Sequence, residues 1–299
     1  MKVAVLGAGT MGHGIAQVTA MAGHEVTLRD IEQEFVDNGI ESISANLQGG
    51  VERDKVTAEE KQATLDRISG TTDLETAVGD ADMVVEAVPE EMDIKRTTFS
   101  DVEALVSDDT IIGSNTSSLS LTEIASALDN PSRAVGLHFF NPVHIMKLVE
   151  IVVPEQADRE TVKFADEFVE DIGKVGVEVR DSPGFASSRL GVSLGVEAIR
   201  MLQEGVASPR DIDAAMELGY NHPMGPIELG DVVGLDVRLD ILEHLREELG
   251  ERFRPPQILR QKVRAGKLGK KTGEGFYVWE DGEIVGVSGE YDQNEGDGE

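Results

Sequence analysis

The chain has 299 residues, 40% of them hydrophobic, enough for one large domain or two smaller ones with a sizeable core. It contains no cysteine, which excludes disulfides, thiolate catalysis and cysteine metal sites, and no metal site is expected. Its 57 acidic residues face only 27 basic ones, a formal net charge of -30, so nucleic acid and anionic membrane are excluded as partners.

The start, MKVAVLGAG, is strand-like and lacks the pattern of a secretory leader, and no apolar run is long enough for a transmembrane helix. A cytoplasmic protein is expected. Residues 2–6 (KVAVL) predict a strand ending in glycines, 13–22 a helix, and 25–30 (EVTLRD) a second strand, a β-α-β start. The next segment, 32–68, is polar and helical and too long for a simple crossover. It is expected to form a helical pair projecting from the domain.

Further strands are predicted at 83–88 (MVVEAV), 110–114 (TIIGS), 134–139 (AVGLHF), 148–153 (LVEIVV) and 175–179 (VGVEV), most of them separated by helical patterns. Continuous apolar strands alternating with helices imply an α/β domain with a doubly wound parallel sheet covered on both faces. At Ser182, Pro183 and Gly184 the pattern turns helical. Ser182 can cap a helix with Pro183 in its first turn and Gly205 beyond its end. Ser208, Pro209 and Gly219 repeat the device. The stretch 185–202 is apolar on most sides, as a helix buried in a subunit interface would be, so a homodimer through these helices is expected. The expected division is 1–181 for the α/β domain, 182–280 for a smaller all-α domain, and 281–299 for a disordered acidic tail.

The acidic residues are not confined to that tail. They recur along predicted helix surfaces, as at Glu52, Asp54 and from Glu243 to Glu251. At 1 M salt the Debye length falls to about 3 Å, which would screen such self-repulsion, so the charge points to a halophile. An ordinary acidic cytosolic protein is the alternative.

Three clusters carry chemistry. Gly7, Gly9 and Gly12 form a G-x-G-x-x-G turn between strand and helix, with Thr10 and Met11 inside it. Such a turn admits a pyrophosphate to the helix N-terminus, and Asp30 at the end of the second strand is placed to accept from ribose hydroxyls. A carboxylate there repels a 2′-phosphate, favouring NAD over NADP, although neighbouring Arg29 could receive that phosphate. In 114–118 (SNTSS), Ser117 suits either a ligand contact or a turn, while Ser120 and Glu123 fit a helix cap. His138 ends an apolar strand, and Glu150 sits in the next apolar run, where a carboxylate is costly unless paired. A His138–Glu150 pair would serve a general base, whereas a core histidine bonded to a backbone carbonyl is the alternative. His144, after Pro142, is expected to be exposed or to line a pocket mouth.

The stretches GAGTMGHGIA (7–16), VVEAVPEEMDIK (84–95), SNTSS, GLHFFNPVHIMKLVE (136–150), DSPGF (181–185), HPMGPIEL (222–229) and GKLGKKTGEGFY (266–277) resemble, in the same order, those of L-3-hydroxyacyl-CoA dehydrogenases of the 3-hydroxybutyryl-CoA type. The resemblance covers about residues 1–280. It implies a Rossmann-type domain followed by a helical domain that forms a dimer, and reversible NAD-dependent oxidation of the 3-hydroxyl of an acyl-CoA. It implies that His138 is the catalytic base, Glu150 its partner, and Ser117 the hydroxyl that holds the substrate oxygen. It implies cofactor contacts by Gly7, Gly9, Thr10, Met11, Gly12, Asp30, Glu90, Lys95, Ser117 and Asn141, with Arg53 and Lys55 the nearest candidates for CoA. Two positions depart from the family pattern. Ser188 stands where many members carry a substrate-contacting Asn, and His144 where many carry Pro. A related dehydrogenase of a free hydroxy or sugar acid, and an NAD-binding protein without catalysis, are the alternatives.

Overall fold

β1 (Lys2–Leu6) sends Val3 and Val5 into one apolar cluster and Ala4 and Leu6 into another. Side chains alternate between the faces of a strand, so a strand apolar from its second residue onward must be covered on both sides. A computed structural model describes residues 1–289, which divide into two compact units, Met1–Phe185 and Ala186 onward.

In the first unit β1 leads through α1 (Thr10–Met21) to β2 (Glu25–Arg29). Next come α2 (Gln33–Glu52), α3 (Ala58–Leu65), β3 (Ile68–Thr71), α4 (Leu74–Val78), β4 (Met83–Glu86) and α5 (Met92–Glu103). β5 (Ile111–Ser114), α6 (Leu121–Ala125), β6 (Ala134–Phe139), β7 (Leu148–Val153), α7 (Arg159–Asp171) and β8 (Val175–Arg180) complete it. The eight strands form one sheet in the order β3-β2-β1-β4-β5-β6-β7-β8. Ile15, Ile43 and Phe168, from α1, α2 and α7, cover one face, and Val78, Phe99 and Ile124, from α4, α5 and α6, cover the other.

This is the doubly wound architecture expected, with three differences. The sheet is not wholly parallel, because β6 and β7 pair antiparallel. The link between them, residues 140–147, holds no helix, and a parallel return needs a crossover of about a dozen residues or more. β3 is an additional edge strand, and its sequence ISGT is too polar to signal one. The helical pair of 32–68 is α2 and α3, but α2 does not simply project. It buries Val36, Gly39, Ile43 and Leu47, one face at helical spacing, against α1 and β3.

The second unit contains α8 (Ser187–Gln203), α9 (Pro209–Tyr220), α10 (Pro226–Val233), α11 (Leu235–Leu249) and α12 (Gln257–Arg264). It ends in an antiparallel hairpin, β9 (Tyr277–Glu280) and β10 (Glu283–Val287), so it is helical but not all-α. Val196, Ile199, Leu242, Phe276 and Trp279 are among its core residues. Two buried carboxylates tie the hairpin down. Asp231 accepts from Phe276 N (3.0 Å), Tyr277 N (2.9 Å) and Trp279 Nε1 (3.0 Å). Asp213 accepts from Ile227 N, Glu228 N and Tyr277 Oη. Burial raises both carboxyls above the ordinary aspartate value.

Two expected caps are corrected. Ser182 does not cap α8, whose N-cap is Ala186 without a side-chain bond. Ser182 O instead accepts from Phe185 N in a turn through Gly184 (φ 75). Ser208 caps α9 as expected, but Gly219 lies inside that helix and Asn221 (φ 60) closes it. The disordered tail expected from Asp281 on is corrected over its described part. β10 occupies its first part, and Ser288 Oγ accepts from the buried Lys262 Nζ (2.7 Å) and donates to Glu274 Oε1 (2.6 Å). The rest, 290–299, lies outside the described residues. Among the described residues no helix is long and apolar enough to cross a membrane.

Candidate active site

β1, β2, β4, β5 and β6 run parallel, so their carboxyl ends open on one edge of the sheet, and the strand order reverses between β1 and β4. Doubly wound sheets bind ligands at such an edge.

The glycines after β1 differ in what demands them. Gly7 has φ 100, and a Cβ there would strike the Ala87 carbonyl, while a Cβ on Gly12 would collide with the Gly7 carbonyl. Gly9 has an ordinary φ of -67, and nothing lies within 4 Å of where its Cβ would stand. Neither backbone nor packing requires glycine there, and the open space at the start of α1 suits a pyrophosphate. Asp30 is held at this turn, its Oδ2 accepting from Ala8 N and its Oδ1 from Ile31 N, both at 2.7 Å. Gly7, Gly9, Thr10, Met11 and Asp30 line a cleft of about 730 Å³. Ile31, Phe35 and Ile94 form apolar walls in it although they are 68%, 44% and 37% exposed. Exposed apolar side chains gathered beside a helix N-terminus fit an adenine nucleotide. Arg29 also lines the cleft, with its Nε donating to Thr72 O.

His138 and Glu150 are register partners across β6 and β7. Residues directly opposite in an antiparallel pair share a face, so the two side chains meet. Nδ1 of His138 lies 2.8 Å from Glu150 Oε2, and the residues are 6% and 1% exposed. With the carboxylate accepting, Nδ1–H donates, which leaves Nε2 as the nitrogen for a ligand. The rings of Phe140 and Phe185 stand 4.6 and 5.6 Å from the imidazole.

A second buried charge cluster joins the ends of β4 and β5. Lys95 Nζ, on α5, lies 2.7 Å from Glu86 Oε1, 3.2 Å from Glu90 Oε2 and 3.3 Å from Val88 O. Glu90 Oε1 accepts from Thr116 Oγ1 (2.7 Å), Ser117 N (2.8 Å) and Ser118 N (3.1 Å), with both serine hydroxyls nearby. Burial pushes Glu90 upward, but Lys95 and the loop donors outweigh it and hold the carboxyl below the ordinary value. Burial raises Glu86 despite Lys95, Ser114 and Val88. Asn115 joins this loop to the neighbouring strand, its Oδ1 accepting from Phe139 N, next to His138.

The structure therefore gathers the glycine turn with Asp30, His138 with Glu150, and Ser117 with Glu90 and Lys95. Lys95, for which a cofactor contact is implied, is fully buried, its ammonium held by Glu86, Val88 O and Glu90. Asn141 is exposed just beyond β6. His144 is half-buried, and burial with Lys174, His13 and Arg53 nearby lowers its pKa. Arg53 and Lys55 are exposed in the turn between α2 and α3. Ser188 lies in the first turn of α8, in the second unit. Glu86, Thr116 and Asn115 carry no expectation from the sequence. Glu86 has the signal that marks Glu150, a carboxylate within an apolar strand.

Residues 2–182 match the family model described as 3-hydroxyacyl-CoA dehydrogenase, NAD binding domain, and 184–279 match the 3-hydroxyacyl-CoA dehydrogenase C-terminal domain. The chain is 44% identical to a probable 3-hydroxybutyryl-CoA dehydrogenase of Deinococcus radiodurans, over 93% of this chain and 100% of that protein. It is 43% identical to the 3-hydroxybutyryl-CoA dehydrogenase of Clostridioides difficile, over 93% and 99%. The crystal structure of (S)-3-hydroxybutyryl-CoA dehydrogenase from Ralstonia eutropha matches with a TM-score of 0.90 at 38% identity, over 93% and 99% of the two chains. The nucleotide cleft lies in the part matched as NAD-binding, and the likeness runs through both units: the chain belongs to the 3-hydroxyacyl-CoA dehydrogenase family of NAD-dependent oxidoreductases.

Proposed function

We propose that this enzyme oxidises (S)-3-hydroxyacyl-CoA to 3-ketoacyl-CoA, reversibly, with His138 as general acid and base. The buried His138–Glu150 pair, fixed by strand register, is the observation that carries this reading. NAD, when bound, supplies the acceptor for hydride from substrate C3. His138 takes the 3-hydroxyl proton at Nε2, and Glu150 stabilises the imidazolium and fixes the ring. Ser117 steadies the substrate oxygen. Asp30 accepts from ribose hydroxyls at the turn where Gly9 leaves room, and Thr10, Met11 and Asn141 complete the cofactor contacts. Arg53 and Lys55 meet the CoA moiety, and Ser188 meets the substrate.

The charge of -30 supports work in a salt-rich cytoplasm. Leu190, Leu218 and Tyr220 of the second unit, 71%, 87% and 75% exposed, support a homodimer through that unit.

The test is steady-state reduction of acetoacetyl-CoA by NADH in multimolar KCl, beside free acetoacetate. Turnover of the thioester that His138→Gln abolishes is expected. Turnover of the free acid alone would assign a hydroxy-acid dehydrogenase, and NADH binding without turnover of either would leave a non-catalytic protein.

A further inference from the structure

We infer that His144 binds a phosphate of the substrate's coenzyme A, at the centre of a cationic cluster completed by His13, Arg53 and Lys174. This rests on the function proposed above. The residues come from separate segments of the first unit: the first turn of α1, the turn after α2, the link 140–147 and the residue before β8. Packing draws these segments together. Val143 lies so close to α1 that a Cβ on Gly14, next to His13, would stand 2.8 Å from its side chain. Lys174 Nζ donates to Val143 O and to Met146 O, clasping the link on either side of His144. Asn46 Nδ2 donates to Gln17 Oε1 at 3.3 Å, tying α2 to α1 one turn beyond His13. His13 Nδ1 lies 2.9 Å from Gly9 O, so Nδ1–H donates there and Nε2 is the nitrogen left for a ligand.

The chain carries 57 acidic residues against 27 basic ones, so cations gathered in one place would ordinarily be answered by carboxylates. Here Lys174 is held by two carbonyls instead, and the charges acting on the His144 ring, those of Lys174, His13 and Arg53, are all positive. Glu52, Asp54 and Lys55 beside Arg53, and Lys147 on the link, are exposed to solvent, where screening mutes them. His144 and Lys174 are half-buried, which strengthens their repulsion. An anion relieves it. Burial and the neighbouring cations favour the neutral ring in the free enzyme. A phosphate seated among them reverses that balance, and the ring takes up a proton as the ligand binds. The pyrophosphate of NAD is assigned to the turn where Gly9 leaves room, so the anion met here is a second one. An acyl-CoA tethers its reacting thioester to phosphates through the pantetheine arm. His144 follows His138 by six residues, on the link that leaves the ligand edge of the sheet, and Arg53 is already assigned to the CoA moiety. Many members of the family carry proline at this position, so the imidazole is a feature of this chain.

The experiment measures kcat, KM and NADH affinity of the parent and His144→Gln at about pH 6 and about pH 8. The substrates are acetoacetyl-CoA, its 3′-dephospho analogue and acetoacetyl-pantetheine. In the parent, KM for acetoacetyl-CoA should be lower at the acidic pH, because protonation of His144 and binding favour each other. His144→Gln should raise that acidic KM about tenfold and flatten the difference between the two pH values. It should leave kcat within several-fold of the parent, and NADH affinity and KM for acetoacetyl-pantetheine unchanged. Retention of the effect with the dephospho analogue would place the pyrophosphate in the cluster, and its disappearance would place the 3′-phosphate there; both results support the inference. A rise in KM that is equal for the CoA and pantetheine thioesters would make His144 a packing residue and overturn it. So would weakened NADH binding with thioester KM unchanged, which would give the anion to the cofactor. Calorimetry with free coenzyme A, in buffers of different ionisation enthalpy, keeps the test apart from the reaction. The parent should take up more protons on binding than His144→Gln, and equal uptake would overturn the inference. A parent that shows the extra uptake but does not reduce acetoacetyl-CoA would support the phosphate site and count against the proposed reaction.

Discussion

His138 and Glu150 stand opposite each other on antiparallel strands, twelve positions apart in sequence and 2.8 Å apart at Nδ1 and Oε2. Strand pairing sets the distance, so neither side chain has to be held there by a loop. His144, in the link between the strands, has its pKa lowered by burial and by Lys174, His13 and Arg53 nearby, which favours the neutral ring. His138→Gln is therefore expected to lower kcat at least about a hundredfold, with little change in NADH affinity. His144→Gln should stay within several-fold of the parent. Stopped-flow and steady-state assays of both variants check this, and a crippled His144→Gln beside an active His138→Gln would reverse the assignment.

Glu150→Gln keeps the shape of the pair but removes the counter-charge of the imidazolium. Lower kcat is expected, and the acidic limb of the oxidation-direction pH profile should move to lower pH, because the neutral base then persists further into acid. An unmoved limb would show that Glu150 only packs.

Asp30 carries two roles, accepting from Ala8 N in the glycine turn and presenting negative charge to the cleft. Asp30→Ala should narrow the preference for NADH over NADPH. It should also weaken NADH binding, since the Ala8 N–H loses its partner. Equal catalytic efficiency of the parent with the two cofactors at saturating salt would refute the first role.

The net charge of -30 predicts salt-dependent folding. Dialysis towards 0.1 M KCl lengthens the Debye length to about 10 Å, and helical signal and activity should fall together. A melting temperature flat across the titration argues against a halophilic origin.

Glu90 supplies a pH test. Its carboxyl is held below the ordinary value in the fold, so the unfolded chain binds the proton first as pH falls. The stabilisation is thus present above the ordinary glutamate pKa and is lost as pH drops through the folded one. Glu90→Gln should melt below the parent at neutral pH, with a gap that closes on acidification below about pH 4.5. A gap that widens in acid would contradict the sign.

Much of this was legible before any coordinates. β6 and β7 have the spans their apolar runs mark, and the glycine turn with Asp30 sits where its spacing puts it. The direction of β7 is not written in its composition; it follows from a link too short to cross the sheet. β3 escapes notice because an edge strand can afford polar residues, and ISGT is exposed or half-buried throughout. Lys95 reads as a cofactor contact by its motif, and its ion pair with Glu86 is visible only in the fold. Asn221 closing α9 where Gly219 is available reflects two more residues of helix, a difference that periodicity does not resolve.

The hairpin at the end of the second unit bears on where this chain can be trimmed. Composition suggests a cut near Asp281, where acidic and glycine residues take over. Such a cut would remove β10 and Ser288, stripping β9 of its strand partner and Lys262 of a buried hydroxyl 2.7 Å away. The shortened protein would expose fresh apolar surface around Tyr277 and Trp279 and would be prone to aggregate. A protease probing the native enzyme should accordingly spare this hairpin.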